Sequence, residues 1–167
     1  MAENESEEDT YLDRPNRRKA SSKATKAIVA LLLIVSAVIV IIISIGGWDT
    51  LEGAKPLQIA YIIIYLVMAF LVMRWNRGVL PLAAALAIVL LIFAAVSGPA
   101  WFDRDKSGFT DPALDESILG LLSLILVPIQ ILLIAFSMRG FQQAWNVEVE
   151  RSKDERHGGG EPSPAPA

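Results

Sequence analysis

Cysteine is missing from this 167-residue chain, and histidine occurs only once, as His157 near the C-terminal end. Without cysteine there can be no disulfide, thiol redox centre or thiolate metal site. This excludes the quinone-linked disulfide oxidoreductases, a family of four-helix membrane proteins whose chemistry needs cysteine pairs. With a single histidine far from every apolar segment, a serine–histidine proteolytic site is not expected either.

Charged residues are missing from four long apolar segments. These segments contain no Asp, Glu, Lys, Arg or His and cover residues 27–45, 57–73, 79–96 and 118–138. As helices they would reach about 26–32 Å, roughly the thickness of the hydrocarbon core of a bilayer. A helix of a soluble domain would show polar positions every few residues. The sequence therefore predicts an all-α integral membrane protein, a four-transmembrane-helix antiparallel bundle with disordered polar termini.

The lack of charge inside these segments also limits the function. Ion-coupled transporters and proton relays place ionisable groups within the membrane. Small four-span multidrug exporters need a glutamate in the first span, where this chain has only the polar residues Ser36 and Ser44. The chain has no glycine-rich phosphate loop, and its basic residues flank the apolar segments instead of forming a nucleic-acid-binding stripe. We expect no enzymatic activity, no cofactor and no nucleic-acid partner.

Three regions follow from the distribution of polar residues. Residues 1–26, acidic and then basic, predict a disordered cytoplasmic tail. Residues 27–145 form the transmembrane bundle, and residues 146–167 predict a second flexible cytoplasmic tail, rich in glycine and proline at its end. Within the bundle, Ser97-Gly98-Pro99 is expected to end the third helix. Asp111-Pro112 is expected to start the fourth, as an N-cap followed by proline at the first helical position.

The basic residues predict the orientation. Of the fifteen lysines and arginines, twelve lie before the first span, in the second loop or after the fourth span, and three lie in the first and third loops. The positive-inside rule then places both termini in the cytoplasm. The basic stretch 14–26 next to the first span could also hold anionic lipid headgroups, but the preferred interpretation is that it serves only as this orientation signal. The tail rich in alanine and proline is typical of a bacterium with a GC-rich genome, so we expect a multi-pass protein of a bacterial inner membrane.

Tryptophan positions support this topology. Trp48 and Trp101 follow the outer ends of the first and third spans, and Trp75 and Trp145 lie on the inner side. An amphipathic indole is favoured at the boundary between lipid and water. Each of the four lies within a few residues of a polar loop, so we interpret them as interfacial anchors and not as core residues.

Pro128 and Gln130 lie in the middle of the fourth span. Pro128 cannot donate a hydrogen bond to the carbonyl of Leu124, so the helix should kink or loosen there. Gln130 is the one strongly polar side chain deep in any span, and an amide in that position seeks an interhelical partner. The pair is either a packed structural kink or a polar point on a substrate path. We favour the structural interpretation, because proline is well tolerated in membrane helices.

The third loop contains a partial match to a calcium-binding loop. Asp103, Asp105, Ser107 and Asp111 stand at positions 1, 3, 5 and 9 of such a loop, with glycine at position 6. Position 12, which should supply a bidentate carboxylate, is Leu114. Because the anchoring ligand is missing, a charge-balanced polar turn is the preferred interpretation.

Three functions remain open. The first is a non-enzymatic structural or accessory protein that works through association in the membrane, with itself as a homo-oligomer or within a larger complex. The second is a small channel, holin-like pore or uncoupled transporter of an apolar or lipid-like substrate, in which Pro128 and Gln130 would matter. The third, an enzyme acting through its acidic outer loop, is the least favoured because no reactive constellation accompanies it.

Overall fold

Helices dominate the computed structural model, which describes residues 10–104 and 110–152. In chain order the elements are β1 (Thr10–Asp13), α1 (Pro15–Arg18), α2 (Ala20–Gly46), α3 (Lys55–Met73), α4 (Val79–Phe102), α5 (Glu116–Gln142) and β2 (Val149–Ser152). Two turns of 3₁₀ helix, Trp48–Thr50 and Glu52–Ala54, connect α2 to α3. In the described part of the chain, α2 to α5 are each long and apolar enough to cross a membrane, which confirms the predicted number of long apolar helices.

Every long helix extends beyond the apolar segment from which it was predicted, and α4 does so through a proline. The expected stop at Ser97-Gly98-Pro99 is wrong, because α4 continues to Phe102. Proline removes one hydrogen bond but is tolerated in such helices. The end of α4 lies at Asp103, whose backbone N–H reaches the carbonyl of Pro99 at 3.3 Å.

The start of α5 also differs from the prediction. Asp115 is the N-cap, and its carboxylate accepts a hydrogen bond from the backbone N–H of Ser117 at 2.9 Å. The Asp111-Pro112 pair lies before the helix, because the chain there first crosses to α2. Leu114 N–H donates to the carbonyl of Gly46 at 3.0 Å, which fixes this crossing at the end of α2.

Helix α5 packs extensively on two neighbours, α4 and α2, and α2 also packs on α3. Helices α3 and α4 follow one another in the chain, yet their mutual contact is slight. The interface between α4 and α5 depends on glycine. A Cβ atom on Gly98 would lie 2.6 Å from Leu124 Cδ2, and one on Gly120 would lie 2.7 Å from Phe102 Cε2. Small residues thus allow these two helices to approach closely.

The described parts of both tails are folded, in contrast to the disorder predicted for residues 1–26 and 146–167. Strands β1 and β2 pair in antiparallel register, with Thr10 opposite Ser152 and Asp13 opposite Val149. Helix α2 begins at Ala20, well before the apolar segment. The backbone pairing joins positions far apart in the sequence, so local composition could not indicate it. Residues 1–9 and 153–167 of the predicted tails lie outside the described residues.

Candidate functional site

Gln130 is the centre of a buried hydrogen-bond network that joins three helices. Its side chain is fully buried. The amide oxygen accepts a hydrogen bond from Tyr65 Oη of α3 at 2.9 Å, and the amide nitrogen donates to Ser36 Oγ of α2 at 2.9 Å. Ser36 Oγ in turn donates to the carbonyl of Leu32 at 2.7 Å. The amide predicted to need an interhelical partner therefore has two, on different helices.

Pro128, predicted together with Gln130, lies inside α5, and the helix continues past it for several turns. Sequence reasoning did not identify Tyr65 as a partner of Gln130. The structure buries Tyr65 almost completely and sets its ring edge-to-face against Tyr61, with centroids 5.6 Å apart. The spacing of four residues between the two tyrosines was the available signal, because it places both on one face of α3.

A cavity of about 200 Å³ lies nearer the start of α3, and we name it the Gln58 cavity. All four long helices and the turn between α2 and α3 contribute to it. Its lining is mostly apolar and consists of Val40, Ile43, Leu51, Ala54, Leu57, Gln58, Tyr61, Leu90, Phe93, Ala94, Ser97, Trp101, Ser123 and Leu126. From the sequence, Gln58, Tyr61 and Tyr65 near the start of the second span are open to two interpretations, the lining of a shallow vestibule or interfacial anchors. The structure places Gln58 and Tyr61 in the lining of this cavity.

The polar side chains of the Gln58 cavity are few, and most are already engaged. Ser123 Oγ donates to the carbonyl of Leu119 at 2.9 Å within α5. Gln58 Oε1 accepts a hydrogen bond from Ser44 Oγ, which also lies 2.6 Å from the carbonyl of Val40. Across the described residues, Gln58 Nε2 has no hydrogen-bond partner. The Gln58 amide, one of the lining side chains, is therefore engaged through its oxygen only.

At the opposite end of the helices, the folded tails form what we name the tail collar, residues 10–18 and 143–152. Arg17 Nε donates to the carbonyl of Trp145 at 3.0 Å, and Asn16 Nδ2 donates to the carbonyl of Ala144 at 3.0 Å. The ring of Trp145 is fully buried and meets Trp75 edge-to-face at 5.3 Å. Lys26 Nζ lies 4.2 Å from the Trp75 ring.

Two of the four predicted interfacial tryptophans are core residues. Trp145 is fully buried and Trp101 is 5% exposed, whereas Trp48 is 44% exposed. Helix α5 ends before Trp145, and Ala144 adopts a φ of 48°, which turns the chain back over the helix ends. A window of sequence near a polar loop could not reveal this reversal. The interpretation of Trp145 and Trp101 as residues outside the core is therefore wrong.

Two groups near the helix ends have shifted pKa values. Burial in the tail collar lowers the pKa of the Arg17 guanidinium, and the neighbouring positive charge of Arg14 lowers it further. Hydrogen bonds from the side chain and backbone of Ser117 lower the pKa of the Asp115 carboxyl. Both shifts reflect structural contacts, the first of the collar and the second of the α5 N-cap.

The calcium-loop residues are only partly described. Asp105 and Ser107 lie outside the described residues, and Asp111 is exposed. In the regions 10–104 and 110–152, no group of three or more His, Asp or Glu side chains is placed to hold a metal ion. A calcium site formed by Asp103, Asp105, Ser107 and Asp111 stays a prediction.

Comparison with known proteins identifies no relative from which a function could be inferred. No family model, curated protein or solved structure matches this chain. The Gln130 network, the Gln58 cavity and the tail collar are therefore the features on which a functional proposal has to rest.

Proposed function

We propose that this chain is an integral protein of the cell membrane whose four long helices cross the bilayer as an antiparallel bundle with both termini in the cytoplasm. Large apolar side chains on the outside of these helices support this placement; Ile63 and Phe70 on α3 and Ile92 on α4 are each more than half exposed. So much exposed apolar surface is unusual for a soluble monomer and suits contact with lipid.

The tail collar supports the same topology. It brings the N-terminal segment, the α3–α4 turn and the C-terminal segment together, through the contacts among Arg17, Trp75 and Trp145. Counted with the helix ends next to them, these three segments hold twelve of the fifteen basic residues. An even number of spans with all three segments at one end, the cytoplasmic end, accounts for both observations.

Within the membrane, the protein acts as a non-enzymatic structural or accessory subunit through association with itself or with a larger complex. One observation carries this proposal: the two hydrogen bonds that occupy the Gln130 amide. A polar group on a substrate path has to exchange partners with the substrate, whereas Gln130 is held by Tyr65 and Ser36 out of contact with the exterior. The hydrogen bonds of Gln130 therefore connect three helices and make the protein more rigid.

Particle mass in a mild detergent tests the association. The chain has a mass of 18.2 kDa. We expect the protein mass of the purified particle, measured by light scattering with the detergent contribution subtracted, to exceed that of one chain. Coexpression of two differently tagged copies then separates self-association, in which one tag copurifies the other, from a complex with other proteins. A particle of one chain, in detergent and in nanodiscs, would contradict the proposal.

A second function, an uncoupled transporter or pore for an apolar or lipid-like substrate, is favoured by the Gln58 cavity. Vesicles that contain the purified protein and a reporter lipid would test it. Faster exchange of the lipid between leaflets than in protein-free vesicles, lost when the cavity is filled, would establish this function in place of the first. A pH gradient should drive no flux in either case, because no ionisable side chain lies within the predicted spans.

A further inference from the structure

We propose that the Gln58 cavity is a binding site for a glycerophospholipid of the bilayer, with part of one acyl chain inside the cavity and the ester region of the lipid at Gln58. The site lies among all four long helices, and it is lined on one side by α3 and α4, whose mutual contact is slight. The inference rests on the membrane placement proposed above, and it goes beyond it by naming a ligand class and a site.

The first argument is access from the apolar surface. Leu57 of α3 and Phe93 of α4 line the cavity, and these side chains are 44% and 50% exposed. The cavity therefore borders the outer surface between two helices that barely contact one another. In a membrane this surface faces hydrocarbon, so a lipid chain can enter sideways without crossing water.

The second argument is the chemistry of the lining. Leu90, Ala94 and Leu126 provide an apolar interior, which suits methylene groups. Gln58 Nε2, the unused donor group identified above, lies near the start of α3, where the helix leaves the hydrocarbon region in the proposed topology. An ester carbonyl is an acceptor found at that depth of a phospholipid, so it can pair with this N–H donor.

The third argument is positive charge next to the lining residues. Lys55 follows Ala54, a lining residue, and its Nζ lies 4.9 Å from the centroid of the Trp48 ring. A lysine that follows the lining directly in the chain fits a phosphate attached to a hydrocarbon chain.

Cavity size favours a lipid that remains mostly in the bilayer. Pockets for drug-sized ligands usually measure about 300–1,000 Å³, and an apolar cavity of about 150 Å³ holds one benzene ring. At about 200 Å³, the Gln58 cavity can enclose only a segment of an acyl chain. The headgroup and the second chain would stay outside, beside α3 and α4.

Photochemical labelling of the full-length protein in vesicles tests the site. The probe is a phosphatidylethanolamine with a diazirine in one acyl chain, and labelled residues are mapped by peptide mass spectrometry. We expect labelling of the lining residues to saturate at a low mole fraction of probe. Labelling of exposed residues such as Ile63 and Ile92 should instead rise in proportion to the probe, as for bulk lipid.

Two pairs of variants isolate the cavity. Ala94→Phe fills the cavity, and Ala95→Phe makes the same change at the next, exposed position of α4. We expect the first to abolish saturable labelling and the second to retain it. Gln58→Leu removes the free donor and should weaken saturable labelling about three- to tenfold, the range of one hydrogen bond. Ser44→Ala removes only the hydrogen-bond partner of Gln58 and should preserve saturable labelling. If Ala94→Phe does not fold, the comparison of Gln58→Leu with Ser44→Ala tests the site.

Three other outcomes would overturn the inference. Labelling of the lining residues that never saturates and is equal in all variants would mean that the cavity receives only bulk lipid. Saturable labelling by a diazirine fatty acid, but not by the phospholipid, would assign the site to a free acid instead. A chain with no labelling even at Ile63 and Ile92 would show that the membrane placement itself is wrong.

Discussion

Replacing Gln130 with leucine should destabilise the protein through the loss of two interhelical hydrogen bonds. Hydrogen bonds between membrane helices contribute about 0.6 kcal/mol on average and at most about 1.7 kcal/mol each. Leucine has a similar volume, so the variant leaves no large cavity. It does leave the Tyr65 hydroxyl buried without its acceptor, whereas Ser36 keeps its bond to the carbonyl of Leu32. We therefore expect a loss of about 1–3 kcal/mol in the free energy of unfolding.

Unfolding in mixed micelles, titrated with a denaturing detergent and followed by tryptophan fluorescence, measures this loss. A double-mutant cycle with Tyr65→Phe isolates the bond from Tyr65 Oη to Gln130 Oε1. Because the two groups are 2.9 Å apart and buried, we expect a coupling of about 0.5–1.5 kcal/mol. Tyr65→Phe alone should cost less than Gln130→Leu, since it removes one bond instead of two.

Gln142→Leu is the matched control, because Gln142 is an exposed glutamine of the same helix. Its substitution should change the free energy of unfolding by no more than about 0.5 kcal/mol. An unchanged stability of Gln130→Leu, together with a coupling near zero, would refute the structural role of the network. Loss of a measured activity or association without loss of stability would instead place Gln130 on a functional path.

Three further predictions concern the ends of the helices. In intact cells, a membrane-impermeant thiol reagent should label Thr110→Cys, while Asn76→Cys should react only after permeabilisation; the reverse pattern would contradict the topology. Trp145→Ala should cost about 3–5 kcal/mol of unfolding free energy, as for other buried tryptophans, and a cost below 1 kcal/mol would mean that the tail collar is not part of the stable fold. Asp115→Ala should lower stability at neutral pH, where the charged cap is present. Because the folded pKa of Asp115 lies below its unfolded value, the stabilisation by the cap is lost as the pH falls through the folded pKa, so the unfolding curves of Asp115→Ala and the unsubstituted protein should converge in acid. A difference in unfolding free energy between Asp115→Ala and the unsubstituted protein that stays constant over this pH range would contradict the role of the Asp115 carboxylate as the cap.

The number and approximate positions of the long helices could be read from the sequence, because uncharged segments of about 17 to 21 residues have few other stable solutions. In hydrocarbon the backbone has to satisfy its own hydrogen bonds, so such a segment forms a helix whatever its neighbours are. The helix ends were less predictable. Pro99 did not end α4, and the cap of α5 is Asp115 instead of Asp111, because contacts with other helices decided how far each helix extends.

The burial of Gln130 follows the same logic as the helices, since an amide exposed to lipid is costly wherever it lies. Only the tertiary structure decided which groups satisfy it. Ser36 and Tyr65 lie 94 and 65 residues away along the chain. The spacing of Tyr61 and Tyr65 indicates a shared face of α3, but no local pattern indicates that this face meets Gln130.

The tail collar and the Gln58 cavity belong entirely to the tertiary structure. Polar composition suggested free tails, but strand pairing and the cover provided by Trp145 fold their described parts across the helix ends. The cavity is lined by all four long helices, and an open space among helices depends on how they pack together and not on any one segment of sequence. Sequence alone thus determined which segments form helices long and apolar enough to cross a membrane, since hydrocarbon imposes the same local rule on every segment. Only the tertiary structure decided which polar groups pair with one another and where the cavity lies, because both depend on contacts between residues far apart in the chain.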